Sequence, residues 1–331
     1  MGNTQGMHEA ILNELVKIRG LRVMARSSVL PYSHRRIPIS QIAAHLNVQT
    51  VMESSIQYAD DRVRITAQLV DADSGAPFWS KIYDRGFKDV FAIQTDIATR
   101  IASALRVELT PGEQDTLAEK PTESPEAYAA YLRAIAVGAL AGGLEATPEQ
   151  CAVIRQSLDQ ALTLDPNFSL AYAIRARHYA YSIARLVRRS DELTVTRRYE
   201  LAQENAERAL ALDANSGLAH AGIAVAHRFA WRDREAQLAF TRALEQNPSD
   251  QRVLRDVAFF NLFRGHYRAA LEVAREIVEI EPGLGNFLVG YTLMPLGDSD
   301  GALAACQKVL SLRPDFALAH QLRGFVMLTK G

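Results

Sequence analysis

A six-residue phrase recurs five times in the second half of this 331-residue chain, and its spacing restricts the fold more than any other feature. The copies are Ala161-Leu-Thr-Leu-Asp-Pro166, Ala209-Leu-Ala-Leu-Asp-Ala214, Ala243-Leu-Glu-Gln-Asn-Pro248, Ile277-Val-Glu-Ile-Glu-Pro282 and Val309-Leu-Ser-Leu-Arg-Pro314. Their last residues stand 48, 34, 34 and 32 positions apart. A near-constant period of this length means stacked helical pairs, each too small to bury its own apolar face. The phrase has a physical reading. The Ala that opens three of the copies lets two helices approach. The Leu or Val beside it fills the layer between them. The closing Pro, with fixed φ and no N–H, marks where a helix has ended.

The period and the phrase resemble the tetratricopeptide repeat, whose unit is 34 residues long. In the most regular unit, 251–284, the turn between the two helices is Arg264-Gly265-His266-Tyr267, followed by Ala270. Unit 283–314 repeats this with Leu296-Gly297-Asp298 and Ala302, and unit 217–250 has Trp231 in place of the glycine. The expectation is five repeats, the first two irregular, and a sixth helix from about 316. The long first interval places an insertion at Arg185–Arg198. Gly138, Gly142 and Gly143 read as the turn of the first repeat.

The first half has other periods. Ile11, Leu15 and Ile18 recur at helical spacing before Gly20, and Leu21–Val29 reads as a strand. Ser40 caps a short helix stopped by Asn47. Three strands follow, at Val51–Tyr58, Arg62–Val70 and Phe78–Tyr83, with turns at Asp60-Asp61 and Asp73-Ser74-Gly75. The second alternates cleanly, Val63, Ile65, Ala67 and Leu69 facing one way and Arg62, Arg64, Thr66 and Gln68 the other. Asp89 reads as the cap of a long helix with Val90, Ile93, Ile97, Ile101 and Leu105 on one stripe, ended by Pro111-Gly112. Pro111, Gly112 and Pro121 mark 110–124 as a linker. The expected fold is therefore α+β, a small α/β domain with a mixed sheet at 7–109, followed by an all-α solenoid at 125–331.

Leu12–Ser28, Arg62–Ala72, Trp79–Arg85 and Asp89–Ile97 together resemble the TolB amino-terminal-like domain. That resemblance implies a sensor placed between tetratricopeptide repeats and an output domain, commonly a nucleotide cyclase or a winged-helix DNA-binding domain. Two departures stand out. Ser54 follows Glu53 where such domains have glycine, and the family's first strand, before the first helix, has no counterpart. The resemblance thus implies a first domain less stable than the repeats, with an open edge.

Composition and motifs narrow the function classes. A formal net charge of −1 gives no electrostatic case for nucleic acid binding. Cys151 and Cys306 form neither a metal spacing nor a disulfide framework. No run reaches the roughly 20 apolar residues of a membrane helix. The first residues lack the basic region and apolar core of a signal peptide, so the chain as written reads as cytoplasmic. Membership of a longer membrane-anchored protein would make it periplasmic, and the compartment stays open. No phosphate-binding glycine loop, zinc-protease helix or nucleophile elbow occurs. The histidines, among them His178, His220, His227, His266 and His320, are scattered, and the carboxylates of Asp71-Ala-Asp73 serve a turn. Trp79, Lys81 and Tyr83 share a strand face and read as packing rather than a ligand platform. Arg185, Arg188, Arg189, Arg197 and Arg198 form the one basic cluster, read as a solvated helix extension.

The reading is a non-enzymatic scaffold or sensor module of a bacterial signalling protein, with no cofactor, no metal and a protein or peptide partner. The alternatives are the regulatory half of a cyclase or transcription regulator, or a small-molecule receptor using the first domain. In tetratricopeptide arrays the concave surface is lined by positions 2, 5, 9 and 12 of each first helix. Here these include Arg177, Arg228, Arg252, Arg255, Phe259, Phe287, Tyr291 and Phe325. One end is basic and the other aromatic, which suits an extended peptide with acidic and apolar residues. Filling of gaps between repeats explains the same aromatics. Phe325-Val-Met-Leu328 ends on an apolar helix expected to lack its partner, giving an exposed patch or self-association.

Overall fold

A computed structural model describes residues 2–32, 37–59, 62–140, 147–184 and 193–330. In chain order its elements are α1 (Gly2–Val16), α2 (Arg26–Val29), α3 (Ile39–Leu46), β1 (Thr50–Ala59), β2 (Arg62–Asp71), β3 (Pro77–Gly86), α4 (Val90–Ala104) and α5 (Pro111–Ala118). Helical pairs follow: α6 (Pro125–Leu140) with α7 (Pro148–Leu164), α8 (Ser169–Ala184) with α9 (Val195–Leu212), and α10 (Gly217–Phe229) with α11 (Asp233–Gln246). Then come α12 (Gln251–Phe263) with α13 (Tyr267–Ile280), α14 (Pro282–Leu293) with α15 (Ser299–Leu312), and α16 (Ala317–Lys330). The chain divides into two compact units. The first comprises Met1–Leu21, Thr50–Asp71 and Gly75–Pro248, the second Arg22–Gln49, Ala72–Ser74 and Ser249–Gly331.

In the first unit β2 lies between β1 and β3, both antiparallel to it. Strict alternation on β2 sends Val63, Ile65, Ala67 and Leu69 to the buried face, none more than 2% exposed. Ile56 of β1 and Tyr83 of β3 stand opposite Ile65 on that face and are buried too. α4 covers it with Val90, Ile93, Ile97 and Ile101. α1 buries Met7, Ile11 and Leu15 and packs against α4 and α6. The approach of α1 to α6 depends on Gly6, where an added Cβ would stand 2.2 Å from the carbonyl oxygen of Leu132.

Several expectations for this half need correction. The sheet is antiparallel throughout the described residues, not mixed, and Leu21–Val29 is no strand. A strand needs a neighbour to take its ladder bonds. Here the backbone bonds go to local turns and a distant carbonyl instead: Ser28 N–H donates to Ala25 O, and Ala25 N–H to Ile280 O within the second unit. A 3₁₀ turn at Phe87–Asp89 leads into α4, and the Asp89 side chain makes no cap hydrogen bond. α4 ends at Ala104, and Pro111 opens a helix instead of ending one. Thr110 Oγ1 accepts from Glu113 N–H while Glu113 accepts from Thr110 N–H, a reciprocal cap that a Pro at the first helical position favours. Residues 110–124 thus carry α5 and lie within the first compact unit. In the second unit Asn47 does close α3, in the left-handed conformation, but Pro38 precedes the helix instead of Ser40.

The repeated phrase turns out to be one recurring last turn. The C-caps of α7, α9, α11, α13 and α15 are Asp165, Asp213, Asn247, Glu281 and Arg313, the fifth residue of each phrase, all with φ between −134° and −144°. Each C-cap N–H donates to the carbonyl of the phrase's first residue, at 2.7–3.0 Å. Four of the five precede a proline, which excludes the helical conformation and ends the helix there. The first residues Ala161, Ala209, Ala243, Ile277 and Val309 are all buried. At the turn inside a pair, Gly265 and Gly297 take φ of +79° and +82°, and Trp231 takes +61° at the equivalent place. The described residues of this half form five helical pairs, α6–α7 to α14–α15, and the helix α16. Gly142, Gly143, Asp60, Asp61 and most of the insertion, including Arg185, Arg188 and Arg189, lie outside them.

Candidate functional site

The residues expected to line a groove fall into both compact units. In the first, Arg177 of α8 is buried, its guanidinium 5.6 Å from the centre of the Tyr181 ring. Tyr181 meets Phe229 edge-on at 6.4 Å, and Arg228 of α10 lies 4.7 Å over Phe229. These two arginines therefore belong to a cation–aromatic cluster between the packed helices α8 and α10.

In the second unit α12 carries Arg252, Arg255 and Phe259, all half-buried. Asp250 caps α12 by accepting from the backbone N–H of Arg252 and Val253, and the Arg252 side chain closes back on the same carboxylate at 2.6 Å. Phe259 stacks on Phe263 at 5.9 Å, a pairing set by their i,i+4 spacing. On α14, Phe287 is buried against Phe316 at 5.5 Å and Tyr291 at 5.8 Å, so it fills a gap. Tyr291 is 43% exposed and Phe325 of α16 is 58% exposed. Basic residues on α12 and open aromatic surface on α14 and α16 are thus present within this unit. Leu318, Leu328 and Phe263 add exposed apolar surface that the expected set omitted. Leu318 and Leu328 are positions 2 and 12 of α16, the helix that supplied Phe325 as position 9. Nothing in the repeat pattern points to Phe263.

The remaining candidates have structural settings. Lys81 pairs with Asp96 of α4 at 3.0 Å and Tyr83 is buried, as packing of that strand face requires. Burial pushes the Asp96 carboxyl up, but hydrogen bonds from Arg100 and Lys81 outweigh it and hold the group at about 2. Arg197 is tied to Glu200 and Glu204, while Arg198 is buried and donates to Leu193 O, so the helix extension is solvated at one arginine and packed at the next. Tyr199 and His227 are hydrogen-bonded at 3.0 Å. Gly75, at φ +66°, donates its N–H to Asp71 O in the turn after β2. Among the described residues no three His, Cys, Asp or Glu side chains converge as metal ligands, and no helix is long and apolar enough to cross a membrane. A cavity of about 10 Å³ in the second unit, between Ser28, Glu281, Gly283 and Arg313, is no larger than one water requires.

A family model described as "Tetratricopeptide repeat" matches residues 285–316. A protein of Rhizobium meliloti (strain 1021) named "Putative adenylate cyclase 3" is 35% identical over 171 residues, which is 51% of this chain and 28% of that protein. "Anaphase-promoting complex subunit 3" of Schizosaccharomyces pombe is 22% identical over 169 residues, 50% of this chain and 23% of that protein. The chain thus spans about a quarter of the length of these relatives. A solved structure of a monomeric IFIT1 mutant with Gppp-AAAA aligns with a TM-score of 0.51 at 14% identity, over 74% of this chain and 56% of that one. The likeness in structure concerns the fold alone. The matched segment is the pair α14–α15, and the other helical pairs share the tetratricopeptide-type fold.

Proposed function

We propose that this chain is the non-catalytic, partner-binding regulatory part of a bacterial signalling protein of the nucleotide-cyclase kind. The observation that carries the reading is the 35% identity to the Rhizobium meliloti protein, confined to 28% of its length. In this reading residues 7–109 are a TolB amino-terminal-like sensor, 110–124 its connection, and 125–331 the solenoid that engages a partner peptide. The half-buried arginines of α12 and the exposed Tyr291 and Phe325 support an extended ligand with both acidic and apolar side chains. The output domain is a separate region, and the chain needs no cofactor, metal or nucleic acid.

An array of peptides with varied acidic and aromatic content, probed with the purified chain, tests the binding mode. Capture of acidic–apolar peptides, lost in the folded double variant Arg252→Glu with Arg255→Glu, is the expected result. Unchanged capture by that variant sinks the groove assignment. The non-catalytic assignment is tested by incubating the chain with ATP or GTP and assaying cyclic nucleotide. Turnover that survives purification and disappears on a point substitution overturns it.

A further inference from the structure

β3 is an edge strand of the sheet in the first unit, and its outward backbone groups can be identified from the register. Ala72 N–H donates to Gln49 O at 3.0 Å, in line with the pairing of Thr50 with Asp71. Hydrogen-bonded pairs alternate along an antiparallel ladder, so even-numbered residues of β2 bond toward β1 and odd-numbered ones toward β3. The pairs Val63↔Arg85, Ile65↔Tyr83, Ala67↔Lys81 and Leu69↔Trp79 then commit the odd residues of β3 to β2. Ser80, Ile82, Asp84 and Gly86 point N–H and C=O away from the sheet. Among the described residues, the one further bond to these main-chain groups is from Arg62 Nη2 to Asp84 O, which keeps a second lone pair. The side chain of Ile82, at the middle of this row, is 62% exposed.

The same strand of another copy would meet this edge antiparallel across a two-fold axis. The ladder closes only if even residues stand opposite even residues, and charge then selects the register. Centred on Lys81, the pairing sets Lys81 against Lys81. Centred on Tyr83, it sets Lys81 against Arg85, and centred on Asp84, it sets Asp84 against itself. Like charges directly opposite are destabilising. Centred on Ser80, the pairing runs into the register shift opposite Leu69 and Val70. Centred on Ile82, no like charges meet. Ile82 faces Ile82, Ser80 faces Asp84, Lys81 faces Tyr83 and Trp79 faces Arg85. Arg85 is exposed and joined to no carboxylate among the described residues, which leaves its guanidinium able to lie on the indole.

We infer that two copies of this chain pair through their β3 strands, antiparallel and centred on Ile82, to form one continuous sheet. Backbone hydrogen bonds supply the attraction. The charge pattern sets the occupant and the register. The inference rests on the sheet of the first unit and does not depend on the groove of the repeats.

Sedimentation velocity of the full chain over a wide concentration range tests it, with circular dichroism to check that each variant is folded. Expected is a concentration-dependent dimer. Ile82→Pro removes an N–H that β2 does not use and should abolish it. Ile82→Lys should raise its dissociation constant at least tenfold. Across the two-fold axis the Cα atoms of residue 82 stand about 5.5 Å apart, within reach of a disulfide. Ile82→Cys treated with oxidised glutathione should therefore give a covalent dimer above the wild-type background, and Ser80→Cys, which faces Asp84, should not. A chain that stays monomeric throughout overturns the inference and leaves the edge to a strand of another protein. A dimer indifferent to Ile82→Pro, or equal cross-linking at both positions, overturns it as well.

Discussion

Trp231 is one of three non-glycine residues held at positive φ among the described residues, with Asn47 and Arg106. It adopts φ +61° at the turn where the next two pairs have glycine, and its side chain is 79% exposed. A Cβ in the left-handed region costs about 1 kcal/mol, which glycine avoids. Trp231→Gly is therefore expected to stabilise the chain by about 1 kcal/mol, read as a raised urea midpoint. A lowered midpoint would mean that the indole makes contacts worth more than the strain. Asp96 gives a pH signature. Its carboxyl titrates at about 2 in the fold against 3.8 ordinarily, so the unfolded chain takes up the proton first. Its stabilising contribution is present above about pH 4 and lost as pH falls toward 2. Urea midpoints of wild type and Asp96→Asn between pH 5 and pH 2 should converge at the acid end. A constant gap would remove Asp96 from the acid response. The alternation on β2 made the core residues beside Asp96 readable, and Arg100 stands four residues on in α4 at ion-pair spacing, but Lys81 lies on β3 and no local pattern joins it to Asp96.

At the scale of elements, glycine spacing decides how closely helices cross. A Cβ on Gly285 would stand 2.4 Å from Val278 N and 2.5 Å from Val278 Cα, backbone atoms that cannot rotate away. Gly285→Ala is expected to cost about 2 kcal/mol or more by forcing α14 off α13. A thermal shift no larger than that of Gly112→Ala, whose Cβ would meet open space, would show that the interface yields. The cap of α5 is a second case. Thr110→Ala removes one half of a reciprocal cap and should lower stability by about 1 kcal/mol, provided α5 unfolds with the rest. Helix stops were legible wherever an asparagine or a pre-proline phrase marked them, as at Asn47 and four of the five C-caps. Leu21–Val29 was misread because β-branched and apolar residues signal a strand only if another strand is there to pair with.

At the scale of the molecule, the contact of α1 with α6 bears on whether the first half and the repeats separate. Tyr128 and Tyr131 of α6 are buried, Phe91 of α4 lies 4.6 Å from the Tyr128 ring, and Tyr128 donates to Gln94. A fragment of residues 125–331 would expose this aromatic surface. It is expected to melt below the full chain, and Gly6→Val should lower the melting of the full chain by keeping α1 off Leu132. Calorimetry distinguishes the outcomes. Two separated transitions, the upper matching that of the fragment, would show that the repeats stand alone.

The sequence by itself determined the repeats: their period, the ends of their second helices, the turn glycines and the antiparallel meander of three strands. Each follows from interactions within about 35 residues, where backbone stereochemistry and apolar spacing act directly. Only the tertiary structure decided the remainder. It removed the fourth strand, set α1 against α6, buried Arg177 and Phe287, and left Tyr291 and Phe325 open. Those outcomes depend on which surfaces meet across long sequence separations. Burial there is settled by competition among whole elements, which no single segment's pattern contains.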